Sequence, residues 1–536
     1  MTLIVVGTAD LHGHIEMLPY LGGYLANLRA ARGADAVILL DGGDLFQGTL
    51  ESNLDEGASV VEAYTHLGYT AAAIGNHEFD FGPAGQASVP EKPGDDPRGA
   101  LKARAAASRF PFLAANLVES PAGGRVAWPN VVPSILIERA GIRVGIVGVT
   151  TESTPRTTAS RNFAGLAVTP LAPAIAAEAA ELRRRGARIV LVAAHAGGKC
   201  RELDDPTEVH SCALDEEIFQ VARALPPGAV DVIVAGHTHS GVAHEVAGTA
   251  VIESFANGVA FGRVDLVVDP GRGLVSRRIH RPRFVCGRRG RDDGDGGSAS
   301  CSPGSYEGRP VVPDRDLAAL VARRMAAARE LRESPLGVVV DSPVRRAHGE
   351  ESALGNLFAD LMREARPDAD VAITNGGGLR ADLPAGRLTY GTLYEAIPFD
   401  NRFARVQLSG AELAHVIAAN LERRSGILSL SGLRVTARCR GGALEVSLRR
   451  ERDGTRVGAR DRLVMVTNDF LASGGDDMLA GLDLPSDAIR FEDGATIRDA
   501  IAGVLRARGG HLRGDDLRDP RAPRIALPGP RPVRCQ

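Results

Sequence analysis

Asp10 and His12, Asp44, Asn76 and His77, His195, and His237 with His239 are the side chains whose types and spacing could do chemistry. They stand in Asp10-Leu11-His12, Asp41-Gly42-Gly43-Asp44, Gly75-Asn76-His77-Glu78, a single histidine after Val192-Ala193-Ala194, and Gly236-His237-Thr238-His239. Carboxylate, imidazole and amide donors in this mixture bind divalent cations, and they suit Zn, Mn or Fe without choosing among them. Each block has a bland reading: an isolated Asp-x-His is commonly a helix cap or surface pair, and an isolated histidine a hydrogen-bonded core residue. Five blocks in order, each after a predicted strand, argue for one site instead, because independent coincidences multiply. The i, i+2 spacing of Asp10/His12 and His237/His239 predicts extended chain with both side chains on one face. Gly43, Gly75 and Gly236 predict tight turns that bring backbone and ligands close.

Two divalent ions would outweigh the carboxylates of Asp10 and Asp44, so the site would attract anions. Water between metals about 3.5–4 Å apart loses much of its pKa and can attack phosphorus in line.

The elements that must hold these residues read as an α/β alternation. Apolar runs at Leu3 to Gly7, Ala36 to Leu40, Ala71 to Ile74, Ile142 to Val149, Ile189 to Ala194 and Val230 to Ala235 predict strands. Several end at a chemistry-bearing residue, as expected where loops leaving a sheet edge converge on one crevice. Residues 281–312, rich in Gly, Arg and Asp, predict a surface loop or the approach to a linker. Helical spacing from Asp314 to Leu331 predicts a connecting helix. A second α/β region runs from about 336 to 525, and the Arg/Pro-rich tail after Asp515 reads as an extended or disordered end.

With 536 residues, 44% apolar and 24% charged, the chain is long enough for two cores, and disordered, collagen-like and coiled-coil classes are excluded. A net charge of −3 recommends neither a nucleic-acid polymer nor an anionic membrane surface as partner. Lysine occurs only at 92, 102 and 199, a bias we ascribe to coding composition. No apolar stretch approaches the ~18 residues a membrane helix needs. The opening Leu3-Ile4-Val5-Val6 has no basic segment or cleavage site, so the expectation is a cytoplasmic protein or the trimmed form of a periplasmic or extracellular one. Among six cysteines, Cys200/Cys212 and Cys286/Cys301 each bracket a local loop, and their pairing would indicate an oxidising compartment.

The five blocks, in this order over residues 1 to about 265, resemble the calcineurin-like metallophosphoesterases. The resemblance implies a four-layer α/β/β/α sandwich, with Asp10, His12, Asp44 and His239 around one metal. Asp44, Asn76, His195 and His237 would surround the other, with Asp44 bridging. It leaves His77 free of metal, to stabilise phosphate oxygens or assist the leaving group, and gives Asp80 the task of orienting it.

The second half narrows the substrate. Asn375-Gly376-Gly377-Gly378-Leu379-Arg380, Ile397-Pro398-Phe399-Asp400-Asn401 and Asn468 to Asp476 each follow a predicted element. Alone, the glycines are a weak signal and Phe399 and Phe470 read as core aromatics. In this order they resemble the C-terminal substrate-binding domain of the 5'-nucleotidase family, a mixed α/β domain. The resemblance implies that Phe399 and Phe470 sandwich a base, Asp476 accepts ribose hydroxyls, Arg380 anchors an anion and Asn375 lines the base pocket. It divides the chain into a phosphoesterase domain over 1–312, a connector over 313–335, a substrate-binding domain over 336–525 and a tail over 526–536. One position departs: His348 stands where relatives carry a further phosphate-binding arginine, and Arg345 or Arg346 would have to replace it after a small shift.

The implied activity is metal-dependent hydrolysis of a nucleoside 5'-phosphate, or a related nucleotide such as a UDP-sugar, to nucleoside and phosphate. Alternatives are a 2',3'-cyclic-nucleotide phosphodiesterase with 3'-nucleotidase activity, thiosulfate-ester hydrolysis, and a non-catalytic nucleotide-binding surface protein. The last would need a missing ligand, and all are present. With base clamp and metals in different halves, the expectation is that substrate bridges them and the connecting helix acts as a hinge.

Overall fold

Alternate side chains of the early strands enter different cores. Leu3 and Val5 of Thr2–Thr8 join one apolar cluster and Ile4 and Val6 another. Ile38 and Leu40 of Val37–Asp41 likewise part from Val37 and Leu39. A strand buried on both faces reads as a continuous apolar run, which is why these segments show no polar alternation.

The computed structural model describes residues 1–535 except 86, 287–300, 425, 486 and 493. It falls into two compact units, one comprising Met1–Arg291 and Ser298–Ala328, the other Arg329 onward. In the first, a seven-stranded sheet centres on Thr2–Thr8, Val37–Asp41 and Ala71–Ala73, which run parallel. A six-stranded sheet centres on Ile142–Thr150, Ile189–His195 and Val232–Ala235, also parallel. One cluster, with Val5, Ile38, Ile146 and Leu191, is drawn from both sheets. The opposite face of the first sheet packs on Leu18–Arg32 and Ala58–Leu67 through Leu25 and Tyr64, and that of the second on Leu171–Arg184 through Ile175 and Leu182. Four layers, α/β/β/α, result.

The predicted connecting helix is Arg315–Glu333, and Leu317, Leu320 and Val321 bury against the first unit's core. The units divide within it, between Ala328 and Arg329, where the sequence suggested a separate connector. Residues 281–312 are not wholly a loop. Val285 and Val311 enter the first core, and Cys286–Cys301 closes the segment, whose centre lies outside the described residues.

The second unit is built on a five-stranded sheet containing Leu428–Ser431, Val371–Asn375, Arg462–Asn468, Phe403–Ser409 and Ile489–Phe491. Helices Ala353–Ala365 and Gly410–Leu421 start at Ser352 and Ser409, whose hydroxyls accept orphan backbone N–H groups. The segment after Asp515 is in part extended but anchored to the second unit: Ile525–Ala526 pairs with Leu433–Arg440, Val533 is buried, and Cys535 is bonded to Cys439. Composition misleads here because Ile525, Leu527 and Val533, with one disulfide and the hydrogen bonds of Arg531, hold an Arg/Pro-rich segment. No helix among the described residues is long and apolar enough to cross a membrane.

Candidate metal centre

Loops leaving the strands Thr2–Thr8 and Val37–Asp41 zip together through their backbones. Asp10 N donates to Gly43 O at 2.9 Å, His12 N to Asp44 O at 3.0 Å, and Gly13 N to Leu45 O at 2.9 Å. Asp10 is fully buried, and Asp44 and His12 nearly so. Asp44 Oδ1 accepts from His77 N at 2.9 Å, joining the loop after Ala71–Ala73 to the same point.

The predicted extended geometry of the Asp-x-His and His-x-His pairs does not occur. Asp10, His12, Asp44, His237 and His239 all have positive φ, between 50° and 82°. Left-handed backbone is sterically costly for such residues and persists where surrounding hydrogen bonds over-determine it. These five side chains converge because their loops curl back, not because alternate residues share a strand face; Asn76 has φ −74° and His195 ends the strand Ile189–His195. Gly43, at φ 96°, makes the turn expected of it. Gly75 matters through closeness: a Cβ there would lie 2.1 Å from Asp44 Oδ1.

Two groups of donors form. In one, Asp10, His12 and His239 bring their ligand atoms within 4.8 Å of one another; in the other, Asp44, His195 and His237 do so. His12 Nε2 lies 2.9 Å from His239 Nε2 and 3.8 Å from Asp44 Oδ2. His195 Nε2 lies 3.1 Å from the same Asp44 oxygen and 2.9 Å from Asn76 Oδ1. Asp44 therefore touches both groups. His77 stands beside them, with Nδ1 donating to Asp80 Oδ2 at 2.6 Å and Asp80 held in turn by the Thr158 hydroxyl at 2.9 Å.

The outer hydrogen bonds turn lone pairs inward. His12 Nδ1 donates to Gln47 O at 2.7 Å and His195 Nδ1 to Gly42 O at 2.9 Å, leaving each Nε2 as the donor atom for a cation. His237 Nε2 meets the Ser153 hydroxyl at 3.3 Å, and its Nδ1 lies 3.2 Å from His195 Nε2, inside the cluster. The Asn76 amide nitrogen donates outward to Thr157 O at 3.0 Å and presents its oxygen to the cluster. These buried and half-buried carboxylate, imidazole and amide groups, gathered in two clusters, fit divalent cations by their donor chemistry.

The electrostatics agree. Asp10 is raised well above the carboxylate range, first by burial and then by Asp44. Burial also acts to raise Asp44, but His195, His77 and His12 outweigh it and hold the group well below that range. Burial opposes a charge on His195, yet Asp44 leads the carboxylates that push it up to about 10. Carboxylates packed this closely in a buried site favour a positive counter-charge beside them.

Sequence reading gave no role to several residues that complete the centre. Glu78, pushed up to about 8 by burial and by Asp44, accepts backbone N–H bonds from Asp44 at 2.9 Å, Leu45 at 2.6 Å and Gly75 at 2.6 Å. Its place beside Asn76-His77 was a usable signal. Glu253, buried on Thr249–Ser254, accepts from Gly198 N at 2.9 Å and the Thr238 hydroxyl at 2.7 Å, bracing the loops of His195, His237 and His239. Nothing local in the sequence marks it.

In the second unit, Asn375 Nδ2 donates to Asp476 Oδ2 at 2.7 Å, and burial raises that carboxyl. The Arg380 guanidinium lies 5.4 Å from the Phe399 ring. The loops of Phe399 and Phe470 are tied where Asp469 N donates to Arg402 O at 2.9 Å and Arg402 N to Asp469 Oδ1 at 3.1 Å. Both rings are half-buried, and Phe470 also packs on the second core. His348 is exposed, whereas Arg346 donates to Leu379 O at 3.3 Å, beside Arg380.

Residues 3–241 match the family model for calcineurin-like phosphoesterases, and residues 331–481 match that for the 5'-nucleotidase C-terminal domain. The chain therefore carries a calcineurin-like phosphoesterase domain followed by a 5'-nucleotidase C-terminal domain. It is 25% identical over 471 residues to the endonuclease YhcR of Bacillus subtilis, a match covering 87% of this chain and 35% of that protein. It is 25% identical over 446 residues to a 5'-nucleotidase of Vibrio cholerae, covering 77% of this chain and 74% of the relative. The solved 5'-nucleotidase precursor of Thermus thermophilus superposes with a TM-score of 0.73 at 23% identity, over 99% of this chain and 100% of that one, and shares the two-domain fold. The chain spans about a third of the endonuclease, so that name describes a much longer protein.

Proposed function

We propose that the protein hydrolyses nucleoside 5'-phosphates, or related nucleotides such as UDP-sugars, to nucleoside and phosphate, using two divalent cations held by Asp10, His12, Asp44, Asn76, His195, His237 and His239. The observation that carries this is the convergence of those donors into two groups that meet at Asp44. The cations, when bound, supply a water of lowered pKa and offset the charge that develops on a phosphate ester.

The chain's own residues do the rest. Asp44 is fixed by backbone groups and by Glu78, so the shared ligand cannot drift. His77, oriented by Asp80, hydrogen-bonds the phosphoryl oxygens as charge builds and assists the leaving group. In the second unit, Asp476 and Asn375 form the hydrogen-bonding side of a nucleoside pocket, Phe399 and Phe470 its stacking side, and Arg380 the anion anchor. Arg346 takes the place left by His348. The disulfides Cys200–Cys212, Cys286–Cys301 and Cys439–Cys535 support an oxidising location, periplasmic or extracellular.

Rates on AMP, 3'-AMP, 2',3'-cyclic AMP and UDP-glucose test the reading. AMP or UDP-glucose should turn over fastest. An inert response to AMP with turnover of the cyclic ester would instead identify the phosphodiesterase.

A further inference from the structure

The segment from Leu527 to Cys535 lies against the second unit's core, with Leu527, Val533 and Cys535 packed on it and Val533 N donating to Leu421 O at 2.9 Å. Cys535 is bonded to Cys439 of the strand Leu433–Arg440, so this segment is fastened at its far end. Between these anchors Arg531 spreads over other segments. Its Nη1 donates to Gly349 O at 3.1 Å, and its Nη2 to Asn420 O at 2.7 Å and Arg423 O at 3.4 Å.

Both residues at the helix end pass the constraint on. Arg423 donates to Asp477 O at 3.0 Å and Asp476 O at 3.4 Å, fixing the backbone of the carboxylate that pairs with Asn375. Asn420 Nδ2 donates to Gly426 O at 2.9 Å and its oxygen accepts from Leu428 N at 3.1 Å. Ile427, held between them, accepts from Gly376 N at 2.8 Å and donates to His348 O at 2.8 Å. Two hydrogen-bonded routes thus run from Arg531 to Asp476 and to the residue following Asn375. Asp476 has φ 51°, a strained conformation that needs such support.

We infer that Arg531 is a positioning residue for nucleotide binding, and that the Cys439–Cys535 bond sets nucleotide affinity by holding the strap that carries it. This rests on the nucleoside-pocket reading of Asn375 and Asp476. A guanidinium with several donors in a rigid fork can serve separate carbonyls at once, whereas an ammonium serves them less well.

The test compares AMP with para-nitrophenyl phosphate as substrates for the full-length protein loaded with metal. Arg531→Met should raise KM for AMP at least threefold with kcat nearly unchanged and kcat/KM for the aryl phosphate unaltered, and Arg531→Lys should fall between. The double substitution Cys439→Ser/Cys535→Ser should give the same split, and it decides the matter where Arg531→Met does not fold. An unchanged KM for AMP, or equal losses on both substrates, overturns the strap's role while leaving a nucleotidase. A parent protein that hydrolyses the aryl phosphate but no nucleotide overturns the nucleoside-pocket reading itself, and the inference with it.

Discussion

His77 and Asp44 divide the work of the candidate centre between chemistry and construction. His77 donates its backbone N–H to Asp44 but its ring to Asp80, so its loss removes the imidazole proposed to meet the phosphate without removing a predicted ligand. We therefore expect His77→Asn to lower kcat about a hundredfold or more while metal content, measured by elemental analysis, stays at the parent value. Asp41 lies deeper, receiving hydrogen bonds from Thr8 at 2.7 Å, Tyr64 at 2.9 Å and Gly43 N at 2.8 Å. Burial pushes its carboxyl up to about 7 from an unfolded value near 3.8. The folded form thus keeps a proton that the unfolded chain releases. Stability from this group is full below about pH 4 and declines as pH rises through 7. The denaturation midpoint of the parent relative to Asp41→Asn should fall between about pH 4 and pH 7 and level off above; a pH-independent difference would show that Asp41 does not titrate there.

Loops, not strands, give the centre its geometry. Gly75 lies so close to Asp44 that Gly75→Ala should displace that carboxylate, and we expect loss of metal and turnover with near-native circular dichroism. Retained metal at parent stoichiometry would show that the loop can yield. The loops of Phe399 and Phe470 make a parallel case. Stacking on an aromatic ring is worth about 1–3 kcal/mol per base, so Phe399→Ala or Phe470→Ala should raise KM for nucleotides roughly five- to a hundredfold. Hydrolysis of a small aryl phosphate should change comparatively little, and equal losses on both substrates would return the rings to the core. Ligand types and order were legible because each sits in a short motif after an apolar run. The left-handed backbone at Asp10, His12, Asp44, His237 and His239 was not legible, because it arises from hydrogen bonds between loops far apart in sequence.

The two units differ in how openly their sequences declare them. In the first, continuous apolar strands and periodic helices announce an α/β alternation, and the four layers that the resemblance implied are found in the fold. Glu253 stayed hidden because one acid on a distant strand has no local pattern, although it braces the two loops that carry His195, His237 and His239. The segment near Cys535 stayed hidden for the opposite reason: its composition suggested disorder, and only pairing with Cys439 across 96 residues reveals an anchored strap. Bringing all seven donors to one place is the claim on which chemistry, substrate and strap depend. Metal analysis with turnover on the same purified sample measures it most directly. Two equivalents of divalent metal per chain, activity lost on chelation and regained on metal return are the predicted result. Undiminished phosphoesterase activity in protein stripped of metal would contradict it.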